Sequence, residues 1–202
     1  MEKMLIINGS PRAPKSNSKE YIKIFMKYRK CDIDIYNIVT EKNRDIPDNI
    51  DSYNRYMLVM PLYADSVPAI VTGFLKKLEK KKISEGKRVD VLINCGFMEP
   101  EQNHVAIDVI KMFCIRKNLE YGMTLSIASG EAILNTPFAF MARRRIKKFA
   151  KSLKRNEKGY MSVSMPISKN MFLKASTKYW TKYGEKYGIS IEEMKTNNIE
   201  NI

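Results

Sequence analysis

Met4-Leu5-Ile6-Ile7-Asn8-Gly9-Ser10-Pro11-Arg12-Ala13-Pro14-Lys15-Ser16-Asn17-Ser18 is the stretch from which the fold is read. Met4 to Asn8 is a short apolar run of strand length, and a loop of Gly, Ser, Pro and Arg comes after it. Ser16-Asn17-Ser18 then opens an amphipathic helical pattern running to about Lys30, with Tyr21, Ile22, Phe25 and Met26 on one face. A buried strand, a hydroxyl-rich turn and a helix start, in that order, form an anion cradle. The first turn of a helix leaves N–H groups unpaired and carries partial positive charge. Ser and Asn side chains add donors, and Arg12 and Lys15 are close by, which suits a phosphate monoester with several oxygens to satisfy. Neither a Walker A pattern nor a GxGxxG fingerprint is present. The same Ser-Asn-Ser is also what an ordinary helix cap looks like, so the loop alone leaves both readings open.

Outward from this stretch, strand and helix patterns alternate, which predicts an α/β chain with a parallel sheet and helices on both faces. The second strand is Asp32 to Tyr36. Thr40 to Ser52 is polar, carries Pro47 and reads as a long connection with a turn of helix. Tyr56 to Pro61 is a near-continuous apolar run, as expected of a strand buried on both faces, and Pro61 closes it. Ser66 is the expected N-cap of the next helix, with Pro68 in its first turn and its end near Lys82. Arg88 to Asn94 is the fourth strand. Glu101 to about Asn118 is a helix expected to turn Val105, Ile107, Val109, Ile110, Met112 and Phe113 mostly inward. Met123 to Ala128 is the fifth strand, and Pro137 to Lys154 the last helix of the alternation.

The remaining chain departs from this pattern. Residues 1–158 are read as one domain and 159–202 as a C-terminal extension, in which Met161 to Pro166 packs as an extended piece. Asn170 to Tyr187 looks helical and carries Phe172, Leu173, Tyr179, Trp180 and Tyr183. So many aromatics in an extension predict docking on the domain or on a second subunit. Thr196 to Ile202 is expected to fray.

Composition narrows the class. The 202 residues carry a net charge of +14, with 44% hydrophobic content. That hydrophobic fraction argues against disorder. No apolar run approaches the ~18 residues of a membrane span, and the N-terminal apolar segment is too short for a signal peptide. The cytoplasm and no membrane partner are therefore expected. Cys31, Cys95 and Cys114 are far apart and show no CxxC or cysteine–histidine spacing, so no metal site is expected and three reduced thiols are. The basic clusters around Lys76 to Lys82 and Arg143 to Arg155 keep helical periodicity and lack interleaved aromatics. They suit steering of small anions better than nucleic-acid binding. His104 is the only histidine and has no Ser or Cys partner identifiable in the sequence; it reads as a capping or surface residue. Ser129-Gly130-Glu131 ends the fifth strand and reads as a turn, or as a reach toward a ligand or partner.

In a doubly wound sheet, ligands bind beyond the carboxyl ends of the strands. Three loops leave such ends with distinctive composition: Gly9 to Ser18, Pro61 to Ser66, and Asn94 to Glu99. In this order, Gly9-Ser10-Pro11-Arg12 with Ser16-Asn17-Ser18, Pro61-Leu62-Tyr63-Ala64-Asp65-Ser66-Val67-Pro68 and Asn94-Cys95-Gly96-Phe97 resemble the NAD(P)H-dependent FMN reductase family of flavodoxin-like flavoproteins. The resemblance covers roughly Met4 to Lys154. It implies a flavodoxin-like doubly wound five-stranded parallel sheet, order 2-1-3-4-5, with the helical extension appended. It implies that Ser10, Arg12, Ser16, Asn17 and Ser18 hold the FMN phosphate. Pro61, Leu62, Tyr63 and Ala64 would line the isoalloxazine, and Asn94, Cys95, Gly96 and Phe97 would reach its pyrimidine edge. Pro11 and Pro14 leave the first loop fewer amide donors than the family pattern, and Lys15 replaces a small polar residue.

The activity so implied is FMN-dependent NAD(P)H oxidation. Electrons would pass through bound flavin to a quinone, nitro or azo compound, free flavin or metal acceptor, with NAD(P)H as co-substrate. The chemistry belongs to the flavin, so no side chain is assigned a catalytic role. A homodimer is implied as well. The rival readings are a flavodoxin-type electron carrier, against which the basic charge counts, and a cofactor-free flavodoxin-like binding module.

Overall fold

The computed structural model describes residues 2–13, 15–40 and 46–196. Pro14, the middle of the long connection (41–45) and most of the expected frayed end (197–202) lie outside the described residues. Six strands form one sheet: β1 (Lys3–Asn8), β2 (Asp32–Asn37), β3 (Arg55–Pro61), β4 (Arg88–Asn94), β5 (Glu120–Ile127) and β6 (Gly159–Val163). Their order is β2-β1-β3-β4-β5-β6 and every pairing is parallel. The expected order 2-1-3-4-5 is present, with a sixth strand added at the far edge. The piece expected only to pack in extended form pairs Met123 to Ile127 of β5 with Gly159 to Val163. Short β-patterns of this kind carry too few residues to announce their partner.

Every residue of β4, and every residue of β3 except Pro61, is buried. Their backbones pair on both sides, and their side chains alternate between two helical layers. Leu5, Ile7, Leu58, Val91 and Ile93 share a core with Val71, Phe74 and Leu75 of α2 (Ala69–Glu79) and with Ile107, Ile110 and Phe113 of α3 (His104–Arg116). The alternate residues face the layer of α1 (Asn17–Met26) and α4 (Ala139–Lys154), where the rings of Phe25 and Phe149 meet at 6.0 Å.

Several boundaries differ from expectation for local reasons. α1 stops at Met26, with the Lys27 N–H bonded back to Ile24 O and the Tyr28 N–H to Phe25 O, and Met26 lies 39% exposed instead of inward. Ser66 does not cap α2. It closes a two-residue turn with Tyr63, and Pro68 stands at the N-cap instead. α3 is preceded by a 3₁₀ turn, Pro100–Asn103, so the helix proper starts three residues later than Glu101. Ile107, Ile110 and Phe113 face inward, whereas Val105, Val109 and Met112 are exposed. An α-helix presents one stripe to a flat sheet, and six apolar residues spread over nine positions exceed it. A 3₁₀ turn, Asp48–Ser52, supplies the turn of helix in the long connection.

Two compact units divide the chain, Met1–Met165 and Pro166–Ile202. Among its described residues, the second holds two helices, α5 (Lys169–Glu185) and α6 (Ile191–Met194). Ser168 caps α5, and Ser190 with Glu193 forms a capping box at α6. Tyr179, Trp180 and Tyr183 of α5 and Tyr187 just past its end form a row of touching rings.

One polar residue interrupts the buried central strands. Asp90 is fully buried in β4, where the register against β5 shifts between Val89 and Val91. Its Oδ1 accepts from Met123 N at 2.7 Å, standing in for a ladder carbonyl, and its Oδ2 accepts from Arg55 Nη1 at 2.8 Å. Gly122 makes room for this: a Cβ there would overlap Asp90 Oδ1 and crowd the Arg88 side chain. Removing one partner of a buried pair strands the other charge and costs about 3–5 kcal/mol. Asp90→Ala is therefore expected to lower unfolding free energy by about 3 kcal/mol or more in urea denaturation, and a loss below about 1 kcal/mol would contradict this role for the pair.

Candidate functional site

The carboxyl ends of β1, β3 and β4 are neighbours, so the three loops singled out in the sequence open at one pole of the sheet. The first loop begins at Gly9, whose N–H donates to Val59 O at 2.8 Å. A side chain at Gly9 would overlap Val71 of α2, so only glycine lets β1 turn out here. Asn8 organises the start of this loop: its Oδ1 accepts from Ser10 N at 3.1 Å, and its Nδ2 donates to Asn37 Oδ1 at 2.9 Å. Ser10 is buried. Its Oγ accepts from Arg12 N at 3.3 Å and its carbonyl from Ala13 N at 3.2 Å. Ser16 is the N-cap of α1, its Oγ accepting from Lys19 N at 3.3 Å. The backbone N–H groups of Asn17 and Ser18 have no acceptor among the described residues. The amides of Gly9, Ser10, Arg12 and Ala13 are answered within the fold, so the open donors of the cradle lie toward the end of the loop and in the first turn of α1.

The second loop is a tight two-residue turn. Tyr63 and Ser66 exchange backbone hydrogen bonds at 3.1 and 3.0 Å, and Ala64 and Asp65 both hold positive φ, 46° and 54°. This pair of left-handed residues is the twist-matched hairpin turn usually given to Asn-Gly. Leu62 is tied to β4 by its N–H to Asn94 O at 2.7 Å. Tyr63 projects from this turn, 41% exposed.

The third loop leaves β4 at Asn94. The Asn94 side chain is buried and committed to the fold, with Nδ2 donating to Ser18 Oγ at 3.2 Å and to Met60 O at 3.0 Å. One amide therefore joins the ends of β4 and β3 to the start of α1. Cys95 is also buried, with Asn103 Nδ2 at 3.4 Å from its Sγ. Asn103 itself is wholly buried and donates to Ser126 Oγ at 2.8 Å. Gly96 and Phe97 face outward, Phe97 48% exposed, and their N–H groups have no acceptor among the described residues.

The turn after β5 supports both neighbours. Ser129 N donates to Phe97 O at 2.5 Å and Gly130 N to Cys95 O at 2.7 Å. A Cβ at Gly130 would press on Asn94 Cβ at 2.9 Å. Tyr21 OH donates to Gly130 O at 2.7 Å, and burial pushes its phenol well above the usual tyrosine range. Glu131 closes the arrangement from the side. Its carboxylate lies 3.7 Å from Arg12 Nη1 and borders Gly96, and Asn17 Nδ2 donates to its backbone oxygen at 3.4 Å. The exposed Arg12–Glu131 pair bridges the first loop to the β5 turn.

No protein-family model and no curated protein sequence matches the chain. Solved structures do. The flavodoxin of Fusobacterium nucleatum bound to flavin mononucleotide aligns with a TM-score of 0.58 at 20% identity, over 78% of this chain and 100% of that one. An FMN-dependent NADH-azoreductase from Bacillus anthracis in complex with FMN aligns at 0.56 and 16%, over 76% and 99%. The NAD(P)H:quinone oxidoreductase of Methanothermobacter marburgensis aligns at 0.51 and 12%, over 76% and 97%. The chain has a flavodoxin-like fold. Of the residues picked from its sequence, Arg12, Ser16, Asn17, Tyr63, Gly96 and Phe97 reach the mouth of the flavodoxin-like pole. Ser10, Ser18, Asn94 and Cys95 are buried beneath it and shape the loops. Pro61, Leu62 and Ala64 form the stem and bend of the second loop. His104 starts α3 and meets Tyr160 edge-on at 5.6 Å, outside this cluster. Asn8, Asn103 and Tyr21 were missed by the sequence reading. A polar residue closing an apolar strand run was the available signal for Asn8; for the other two, only the distant partner reveals the role.

Burial raises the thiol of Cys95 from its ordinary value of about 9 to about 11, and that of Cys114 to about 12. A thiol raised on folding stabilises the native state fully below about pH 9, and for Cys95 this is lost as pH rises toward about 11. Both thiols are also shielded, and the thiolate is the reactive form. Native protein at about pH 8 should therefore show one fast thiol toward a disulfide reagent, the half-exposed Cys31, and all three only after denaturation. Fast reaction of two or more native thiols would contradict the burial of Cys95 or Cys114.

Proposed function

We propose that the chain binds FMN at this pole and uses it as an NAD(P)H-dependent oxidoreductase, passing electrons to a quinone, nitro, azo, flavin or metal acceptor. The observation that carries this is the convergence of unanswered backbone donors. The Asn17 and Ser18 amides and those of Gly96 and Phe97 lack acceptors among the described residues, and both Asn17 and Gly96 border Glu131. The first pair, with the positive end of the α1 dipole and Arg12, suits a phosphate. The second pair suits negative charge on a ring oxygen, and Gly96 has no side chain to block approach. FMN, when bound, would supply hydride and single-electron chemistry that no side chain here can provide. Tyr63, on a tight hydrogen-bonded turn, would cover a ring face. Ser10, Ser18, Asn94 and Cys95 would hold the loops in place from below. The fold shared with two FMN-bound proteins supports the choice of flavin.

Glu131 sets the affinity in this reading. Its carboxylate competes with a phosphate for Arg12 and adds negative charge beside Gly96. Purified protein is expected to be yellow or to take up added FMN, and then to oxidise NAD(P)H. Arg12→Ala and Ser16→Ala should weaken FMN binding, and Glu131→Gln should tighten it about two- to fivefold in a fluorescence titration. Protein that neither takes up FMN nor oxidises NAD(P)H with FMN supplied would refute the proposal. FMN binding without reduction by NAD(P)H would leave the electron-carrier reading.

A homodimer belongs to the same reading. α3 turns Val105, Val109 and Met112 to solvent at helical spacing, and a second copy could cover this stripe. Sedimentation at micromolar concentration should give about twice the chain mass of 23.5 kDa, and a monomer there would argue against it.

A further inference from the structure

The opposite pole of the sheet holds a second cluster that the flavin reading does not use. Arg55, Arg88 and Glu120 begin β3, β4 and β5 and stand in one cross-strand row. Two arginines side by side on neighbouring strands repel each other. Both are nonetheless buried, at 3% and 7% exposure. Asn156, in a left-handed conformation just after α4, brings them together: its Oδ1 accepts from Arg55 Nη2 and, at 3.4 Å, from Arg88 Nη1. Arg55 Nε also contacts Glu2 Oε1 at 2.6 Å, and Arg88 Nη2 donates to Glu120 Oε1 at 2.7 Å. Above this row lies an open cleft of about 800 Å³, lined by Arg55, Arg88, Lys154, Asn156 and Lys158 together with Glu2 and Glu120.

Charge in this cluster does not balance. The carboxylates of Glu2, Asp90 and Glu120 are shared among Arg29, Arg55, Arg88 and Lys158, and Lys154 has no ion pair among the described residues. Five cationic groups thus meet three carboxylates. Glu120 serves both Lys158, at 2.9 Å, and Arg88, which together hold its carboxyl below the usual range. The buried Nε–H groups of Arg29 and Arg88 have no acceptor among the described residues. The Asn156 Nδ2 has no partner among them either. Packing excess positive charge into a half-buried site is costly unless an anion completes it.

We infer that this cleft is a second binding site, for a small phosphorylated anion carrying two or more negative charges. Arg88, Lys154, Lys158 and the Asn156 amide would hold its oxygens. The volume is in the range of small-ligand sites, and guanidinium and ammonium donors together suit phosphoryl oxygens. The cleft lies at the amino ends of the strands, away from the first-turn amides of α1, so the inference stands whether or not the flavin reading holds.

Titration with inorganic pyrophosphate at low ionic strength tests it, by calorimetry and by amide NMR on the intact chain. Saturable binding is expected, with shifts at Asn54, Gly86 and Asn156, and with a rise in melting temperature. Lys154→Glu with Lys158→Glu, both exposed side chains whose loss leaves the core intact, should weaken binding at least tenfold. Arg12→Ala, at the other pole, should leave the shifts at Asn54, Gly86 and Asn156 and their midpoint unchanged. Citrate binding as tightly at the same residues would assign the site to carboxylates and overturn the phosphoryl choice. Three further results would overturn the site itself: no saturable shift at Asn54, Gly86 and Asn156 at millimolar pyrophosphate, an unchanged midpoint for those shifts in the double lysine variant, or their loss in Arg12→Ala.

Discussion

Parallel pairing of β1, β3 and β4 is the constraint on which everything else here depends. Parallel strands need covered faces, and these are covered by α2 and α3 on one side and α1 and α4 on the other. Side chains in the middle of the sheet are therefore consumed by packing. Only the two ends of the strands are left where backbone donors and charged side chains can meet solvent. The candidate sites of this protein lie at those two ends.

The two poles are built by opposite means. At the carboxyl ends, donors are mostly backbone: helix-start amides of α1 and the amides around Gly96. Polar side chains there work below the surface. Asn94 joins β3, β4 and α1, and Asn8 shapes the first loop from within. At the amino ends, donors are arginine side chains drawn together by Asn156, Asp90, Glu2 and Glu120. Backbone dipoles are oriented by the fold itself, whereas clustered guanidiniums must be held against their own repulsion.

Much of the fold was legible from pattern alone. Apolar runs of strand length alternating with amphipathic segments declared the parallel sheet, and Gly9, Pro61 and Gly96 marked three of its loop ends. β6 was not legible as a strand, because five residues with Gly159 and Tyr160 exposed do not show which edge they join. The outward face of α3 was misread for a related reason. Its apolar residues exceed what one side of a sheet can cover, and only the packing decides which of them lose.

The sequence by itself determined the layered architecture, the three loops at one pole and the residue types those loops present. It did so because hydrophobic periodicity and turn residues act within a few positions of one another. Only the tertiary structure decided which side chains face the mouth and which serve beneath it. It turned Asn94 and Cys95 inward, set Glu131 against Arg12, and brought Arg55, Arg88 and Asn156 to one place. Those choices depend on partners tens of residues away, and the physical terms that settle them, burial and charge balance, have no value until the chain has folded.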